Sequence, residues 1–212
     1  MQRLNLTIRR GATIALPIRV ESSELAYAQI TAIQRTAPVS ITATAHGVPD
    51  GWRAAVANAV GLTELNAENN PPKDAELRLV TRVDADTIEF NSVNAAGYRK
   101  AHVASTGQLV FYKPVDLSLY IGARMECKDR VGGTRLALFA TPATVTDTTN
   151  GALELDTSND TLWLRLTDEE AEAIDFDKCV FDIELLRANG DVEPICTADS
   201  VLTVLPEVTT AE

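Results

Sequence analysis

Aromatic residues are scarce in this 212-residue chain, at 5% of the sequence, while apolar residues as a whole reach 45%. A core must therefore be built mainly from Val, Ile, Leu and Ala. Cysteine is also scarce: Cys127, Cys179 and Cys196 are odd in number and form no C-x-x-C pair, which argues against a disulfide framework. They read as buried thiols of a protein made in a reducing cytoplasm, with Cys127 and Cys179 able to face each other between two sheets. No apolar run approaches the roughly 20 residues of a membrane-spanning helix. The opening MQRLNLTIRRG has no apolar core and no small-residue cleavage site, so no secretory signal is expected. Basic clusters are limited to Arg9-Arg10 and Arg99-Lys100 in a chain of net charge −11, which argues against nucleic acid as a partner.

Turn residues and period-2 alternation are what the sequence does have. Leu4, Leu6 and Ile8 alternate with Asn5, Thr7 and Arg9, and Thr13–Val20 repeats the pattern. Pro17 cannot donate to a ladder, which predicts an edge strand or a bulge there. Ser22 or Ser23 could cap a helical turn before a strand at Tyr27–Arg35. Further strands are predicted at Val39–Thr44, Trp52–Val60, Glu76–Val83, Thr87–Phe90, Gln108–Tyr112, Leu117–Lys128, Thr134–Phe139, Ala152–Asp156, Thr161–Leu166, Val180–Arg187, Val192–Thr197 and Ser200–Leu205. The one helical signature is the capping box Thr167-Asp-Glu-Glu170, which opens a short helix over 168–174. Turn signals every 8–12 residues with one short helix define an all-β fold, read as an Ig-like or jelly-roll-like β-sandwich. The punctuation from His46 onward suggests that the sandwich, residues 1–32 and 115–212, is interrupted by a small inserted β-barrel-like domain, 33–114.

Motifs for chemistry are few. His46 and His102 adjoin turn residues and lie near no cysteine or carboxylate pair with metal-ligand spacing. Asp156-Thr-Ser-Asn-Asp160 lacks the glycine and the terminal glutamate of a calcium loop. No G-x-S-x-G, phosphate-binding glycine loop or nucleophile–base pair is present. No catalytic, cofactor-binding or metal-ligating residue is assigned, and no enzyme activity is expected.

Four segments carry a resemblance: ITATAHGVPDGW (Ile41–Trp52), GLTELN (Gly61–Asn66), VDADTIEFNSVNAAGY (Val83–Tyr98) and the STG before Gln108. On these, Pro38–Pro114 resembles a module of bacteriophage tail-associated proteins. That module is itself similar to the first catalytic cysteine half-domain of ubiquitin-activating enzymes, although this stretch contains no cysteine. The flanks, through VDLSLYIGARMECKD (Val115–Asp129), LTDEEAEAI (Leu166–Ile174), VFDIELLRANGDV (Val180–Val192) and VLTVLPEVT (Val201–Thr209), resemble the N-terminal β-sandwich of phage baseplate upper proteins. Leu119 stands where that family commonly has glycine, and Phe181 where it has tyrosine.

The resemblance implies a structural component of a bacteriophage virion, made in the host bacterial cytoplasm. The expected place is the tail or baseplate, joining the tail to fibres or other peripheral proteins in multiple symmetric copies. A capsid decoration protein and a receptor- or glycan-binding adhesin are the alternatives, the latter with Trp52, Tyr98 and Tyr112 as stacking residues. Partner contacts are expected in three loops of the insertion, at Val48, Pro49, Asp50 and Trp52, at Asn69 and Asn70, and at Asn94, Tyr98 and Arg99. No cofactor is implied.

Overall fold

The alternation of the first residues produces a strand, β1 (Asn5–Arg9), in the computed structural model, which describes residues 3–207. Residues 1–2 and the polar tail at 208–212, including the last residues of the VLTVLPEVT match, lie outside that range. After β1 come β2 (Ile14–Arg19), β3 (Glu21–Gln29), β4 (Ala32–Gln34), β5 (Val39–Thr42), β6 (Arg53–Ala57), β7 (Arg78–Leu79), β8 (Thr81–Arg82), β9 (Thr87–Phe90) and β10 (Gln108–Pro114). The C-terminal half adds β11 (Gly122–Lys128), β12 (Arg135–Ala140), β13 (Gly151–Asp156), β14 (Thr161–Leu166), helix α1 (Asp168–Glu172), β15 (Lys178–Leu186), β16 (Val192–Pro194) and β17 (Ser200–Leu205). Strands make up 45% of the chain and helix 8%, so the class is all-β.

Two units divide these elements. The host unit runs to Glu21 and resumes at Val115, and the inserted unit is Ser22–Pro114. The N-terminal division thus falls at 21/22 where the sequence suggested 32/33. The reason is β3: the Ser22 or Ser23 helical turn does not form, and the whole stretch Glu21–Gln29 is a strand paired with β10.

In the host unit nine strands form one sheet, ordered β1-β17-β15-β11-β12-β13-β14-β2, with β16 along the C-terminal half of β15. Its two end strands, β1 and β2, are separated in sequence by residues 10–13 alone, so the sheet curls until it is nearly closed. Pro17 lies on the end strand β2, where a missing N–H costs no ladder bond. Alternate residues of each strand point inward: Ala123, Met125 and Cys127 from β11, Cys179, Phe181, Ile183 and Leu185 from β15, Leu162 and Leu164 from β14. Each large side chain fully buried in this way contributes about 1.5–3 kcal/mol. Cys127 and Cys179 do come together, but on neighbouring strands of one sheet rather than between two, and both are free thiols.

The β12–β13 pair is parallel, so the chain must cross over between them at 141–150. A Cβ at Gly122 would collide with the side chains of Thr141 and Thr144 on that crossover, which explains a glycine at the start of β11. The expected strand start at Leu117 gives way to a 3-10 turn, Leu117–Leu119, capped by Asp116. Helix α1 opens with the capping box read from the sequence: Thr167 Oγ1 accepts from the Glu170 amide at 3.2 Å, and Glu170 accepts from the Thr167 amide at 2.8 Å.

The inserted unit has two four-stranded sheets, β3-β10-β6-β7 and β4-β5-β9-β8. They share one core, to which the first contributes Ala54, Val56, Leu109 and Phe111 and the second Ile33, Val39, Ile41, Ile88 and Phe90. The single strand expected at Glu76–Val83 is broken into β7 and β8, one in each sheet, with buried Val80 as the corner between them. Val80 is held there by two backbone bonds to Gly51 and Trp52.

Candidate functional site

The loops of the inserted unit are organised by their own polar side chains. At one end of the β4-β5-β9-β8 sheet, His46 is almost fully buried and uses both ring nitrogens: Nδ1 accepts from the Val48 amide at 2.9 Å, and Nε2 lies 3.2 Å from the Asp84 carbonyl. The Val48 amide can only donate, so the proton sits on Nε2 and the ring is neutral. Burial holds its pKa below 6.5, and nearby Arg82 adds to the effect. Ala45 just before it has φ +48°, a conformation disfavoured for a residue with a Cβ, and is pinned by its N–H bond of 2.7 Å to the Asp86 carboxylate. Asp50 is bound on the same side, its carboxylate accepting from the Arg82 amide at 2.8 Å.

The second loop is gathered around Glu76, whose carboxylate accepts from the amides of Glu68 and Lys73, each at 2.6 Å, and from Asn69. These bonds, that from Lys73 first, keep its carboxyl below the usual range. The third loop sits at the opposite end of the sheet from His46. There Ala95 donates to the Thr36 carbonyl and Arg35 to the Tyr98 carbonyl, while Asn94 accepts from Ala96.

The structure therefore sorts the nine expected contact residues. Asp50, Asn70, Asn94 and Arg99 are exposed, and Pro49, Asn69 and Tyr98 are half-buried, Asn69 turned toward Glu76 and Tyr98 packed against the core. Val48 and Trp52 are core residues and are withdrawn as contacts: Val48 is fully buried and Trp52 is 2% exposed. Trp52 lies under the loop with its indole N–H donating to the Tyr112 carbonyl at 2.7 Å, which removes it as a stacking residue for a glycan. Nor do the loops form one surface, since Asp50 and Asn94 are bonded at opposite ends of the same sheet.

The host unit carries a charged face that has no counterpart among the expected contact residues. Arg124, Glu126 and Lys128 point outward from β11, opposite Glu184, Asp182 and Val180 of β15. Arg124 pairs with Glu184, and Glu126 is bound by Lys128 at 3.0 Å and approached by Arg135 at 3.7 Å. Glu126 and Asp182 stand directly across from one another beside a shallow depression that Val131 and Ala198 also line. Burial first, then the charges of Glu184 and Glu126, raises the Asp182 carboxyl. The alternation Arg-Met-Glu-Cys-Lys announced an outward charged face, but only pairing of strands about 55 residues apart brings the two acids together.

Tyr120 makes a second polar cluster in this unit. Its hydroxyl donates to Glu193 at 2.6 Å and accepts from Arg187 at 2.9 Å, with the guanidinium 4.5 Å from the ring centre. Among the described residues no group of three or more His, Cys, Asp or Glu side chains is placed to hold a metal, and no helix is long and apolar enough to cross a membrane. His102 bonds within its own loop to Thr106. The arrangement as a whole offers hydrogen-bonding loops and charged faces for contact. No family model matches the chain, and no curated protein sequence matches it either.

Proposed function

We propose that the protein is a structural component of a bacteriophage virion, at the tail or baseplate, where it joins the tail to fibres or other peripheral proteins. The observation that carries this reading is the insertion of one all-β unit, with its own core, into another. One unit can seat the protein on the particle while the other holds out loops to a neighbour. The motif resemblances on both sides of the boundary supply the phage context. Exposed Asp50, Asn70, Asn94 and Arg99 are the contact residues, and because they lie in separate places they serve more than one neighbour. Several copies held by the particle's symmetry multiply contacts that are individually weak. A net charge of −11 is consistent with protein rather than nucleic acid as the partner.

The test is to purify particles from a lysate and locate the protein by antibody labelling under the electron microscope. Label at the tail end supports the assignment. Label on heads transfers the protein to capsid decoration, and its absence from particles, with all of it free in the lysate, overturns the virion reading.

A further inference from the structure

We propose that Asn189 is a site of spontaneous covalent modification, converted through a succinimide to aspartate and isoaspartate, while Asn150, in the same dipeptide, is protected by the fold. The sequence contains two Asn-Gly steps, Asn150-Gly151 and Asn189-Gly190. A glycine after asparagine leaves the following amide nitrogen with no Cβ to shield it, so both steps are competent in an unfolded chain. The fold treats them in opposite ways.

Asn189 and Gly190 are both exposed, in the turn that joins β15 to β16. Gly190 has φ +91°, and beyond its chain neighbours no atom lies within 4 Å of the place a Cβ would take. The bonds around the pair are made within the turn. The Gly190 amide donates to the Arg187 carbonyl at 3.0 Å, the Asp191 amide to the Asn189 side-chain oxygen at 3.1 Å, and the Asn189 side-chain nitrogen to the Asp191 carboxylate at 2.7 Å. An exposed turn held in this way opens locally without disturbing the sheet beneath it. Asn150 is instead fixed to β12: its amide donates to the Leu138 carbonyl at 2.7 Å, and its side-chain oxygen accepts from the Leu138 amide at 3.0 Å. Gly151 is buried opposite Phe139, and a Cβ there would meet the Arg165 carbonyl at 2.9 Å. The Asn150 side chain is thus free to reach the Gly151 nitrogen only when β13 leaves β12.

At Asn189 the Gly190 nitrogen gives up its proton and attacks the side-chain carbonyl carbon. The new N–C bond closes the ring, and the side-chain nitrogen leaves as ammonia, carrying a proton with it. Water then opens the succinimide at one carbonyl or the other, giving aspartate or isoaspartate. Either product sets a second carboxylate against Asp191 where Asn189 now donates, and like charges there repel. The change therefore loosens the hairpin that presents Arg187 and Glu193 to the Tyr120 hydroxyl. This inference does not rest on the virion reading.

The test uses the full chain, held at mildly alkaline pH, digested, and read by mass spectrometry at the peptides that contain residues 150 and 189. Conversion at Asn189 should outrun that at Asn150 by at least about tenfold, because an opening that costs about 1.4 kcal/mol already slows a reaction by that factor. In urea the two rates should become similar. An isoaspartate-specific methyl-acceptor assay of the folded protein should lose its signal in Asn189→Gln. Equal rates at the two positions in the folded protein, or a difference that persists in urea, overturns the proposal. So does an Asn189 that keeps its amide in the folded protein while the urea sample converts.

Discussion

The amide of Val115 donates to the carbonyl of Val20 at 2.9 Å. These residues stand at the two places where the chain leaves and re-enters the host unit, so the entire inserted unit departs from adjacent points. Replacing residues 22–114 by a short glycine-serine linker should therefore leave a folded host unit, because loop closure across a gap already bridged by a hydrogen bond costs little. Circular dichroism and protection of Cys127, Cys179 and Cys196 from a thiol reagent check this. A host unit that exposes its thiols once the insertion is removed would show that the two units fold only together.

His46 should make the inserted unit acid-sensitive. The folded ring is kept neutral with its pKa below 6.5, whereas in the unfolded chain it titrates near 6.5. As pH falls below 6.5 the unfolded state gains a proton that the folded state refuses, so stability declines until the depressed folded pKa is reached. Above 6.5 this contribution is complete and constant. His46→Gln should remove that slope, and His46→Ala should cost about 1–3 kcal/mol by leaving the Val48 amide unpaired. Urea melts at a series of pH values, with NMR titration of the imidazole, read both effects.

Trp52 should behave as a core residue. Trp52→Ala is expected to destabilise the inserted unit by about 3–5 kcal/mol through the cavity it leaves. Trp52→Phe, which keeps most of the apolar volume but deprives the Tyr112 carbonyl of its donor, should cost about 1–3 kcal/mol. Denaturant unfolding of both variants gives the comparison. An unchanged midpoint in Trp52→Ala would show that the ring is not packed as described.

Tyr120 should ionise far above the ordinary tyrosine range. Burial and the bond to Glu193 push its pKa up to about 12, against the opposing effect of Arg187. The neutral phenol is thus a feature of the folded host unit, and the stability it contributes is present below pH 10 and lost as pH rises through about 12. Ultraviolet titration of Glu193→Gln should show this step moved down, and Tyr120→Phe should lack it.

Local chemistry in the sequence was enough for the all-β class. The capping box at Thr167–Glu170 needs only neighbours three residues apart, and it forms as read. Pro17 indicated an edge because a residue without an N–H cannot serve an inner strand. Pro114 ends β10 immediately before the chain returns to the host unit at Val115. The opposite boundary was not legible, since β3 is a strand only by virtue of β10, some 80 residues away. The burial of Val48 and Trp52 is illegible for the same reason: a turn next to glycines looks exposed until the core beneath it is known.

By itself, the sequence determined period-2 strands, an aliphatic core and the one short helix, because these follow from residues within a few positions of each other. Tertiary structure alone decided the rest. It joined nine host strands into one nearly closed sheet, broke Glu76–Val83 across two sheets, and set Cys127 beside Cys179 on neighbouring strands. It turned His46 inward as a neutral pin between loops and placed Glu126 against Asp182. Each of these depends on which distant strand lies alongside, and that is settled by the burial of whole sheet faces rather than by any local run of residues.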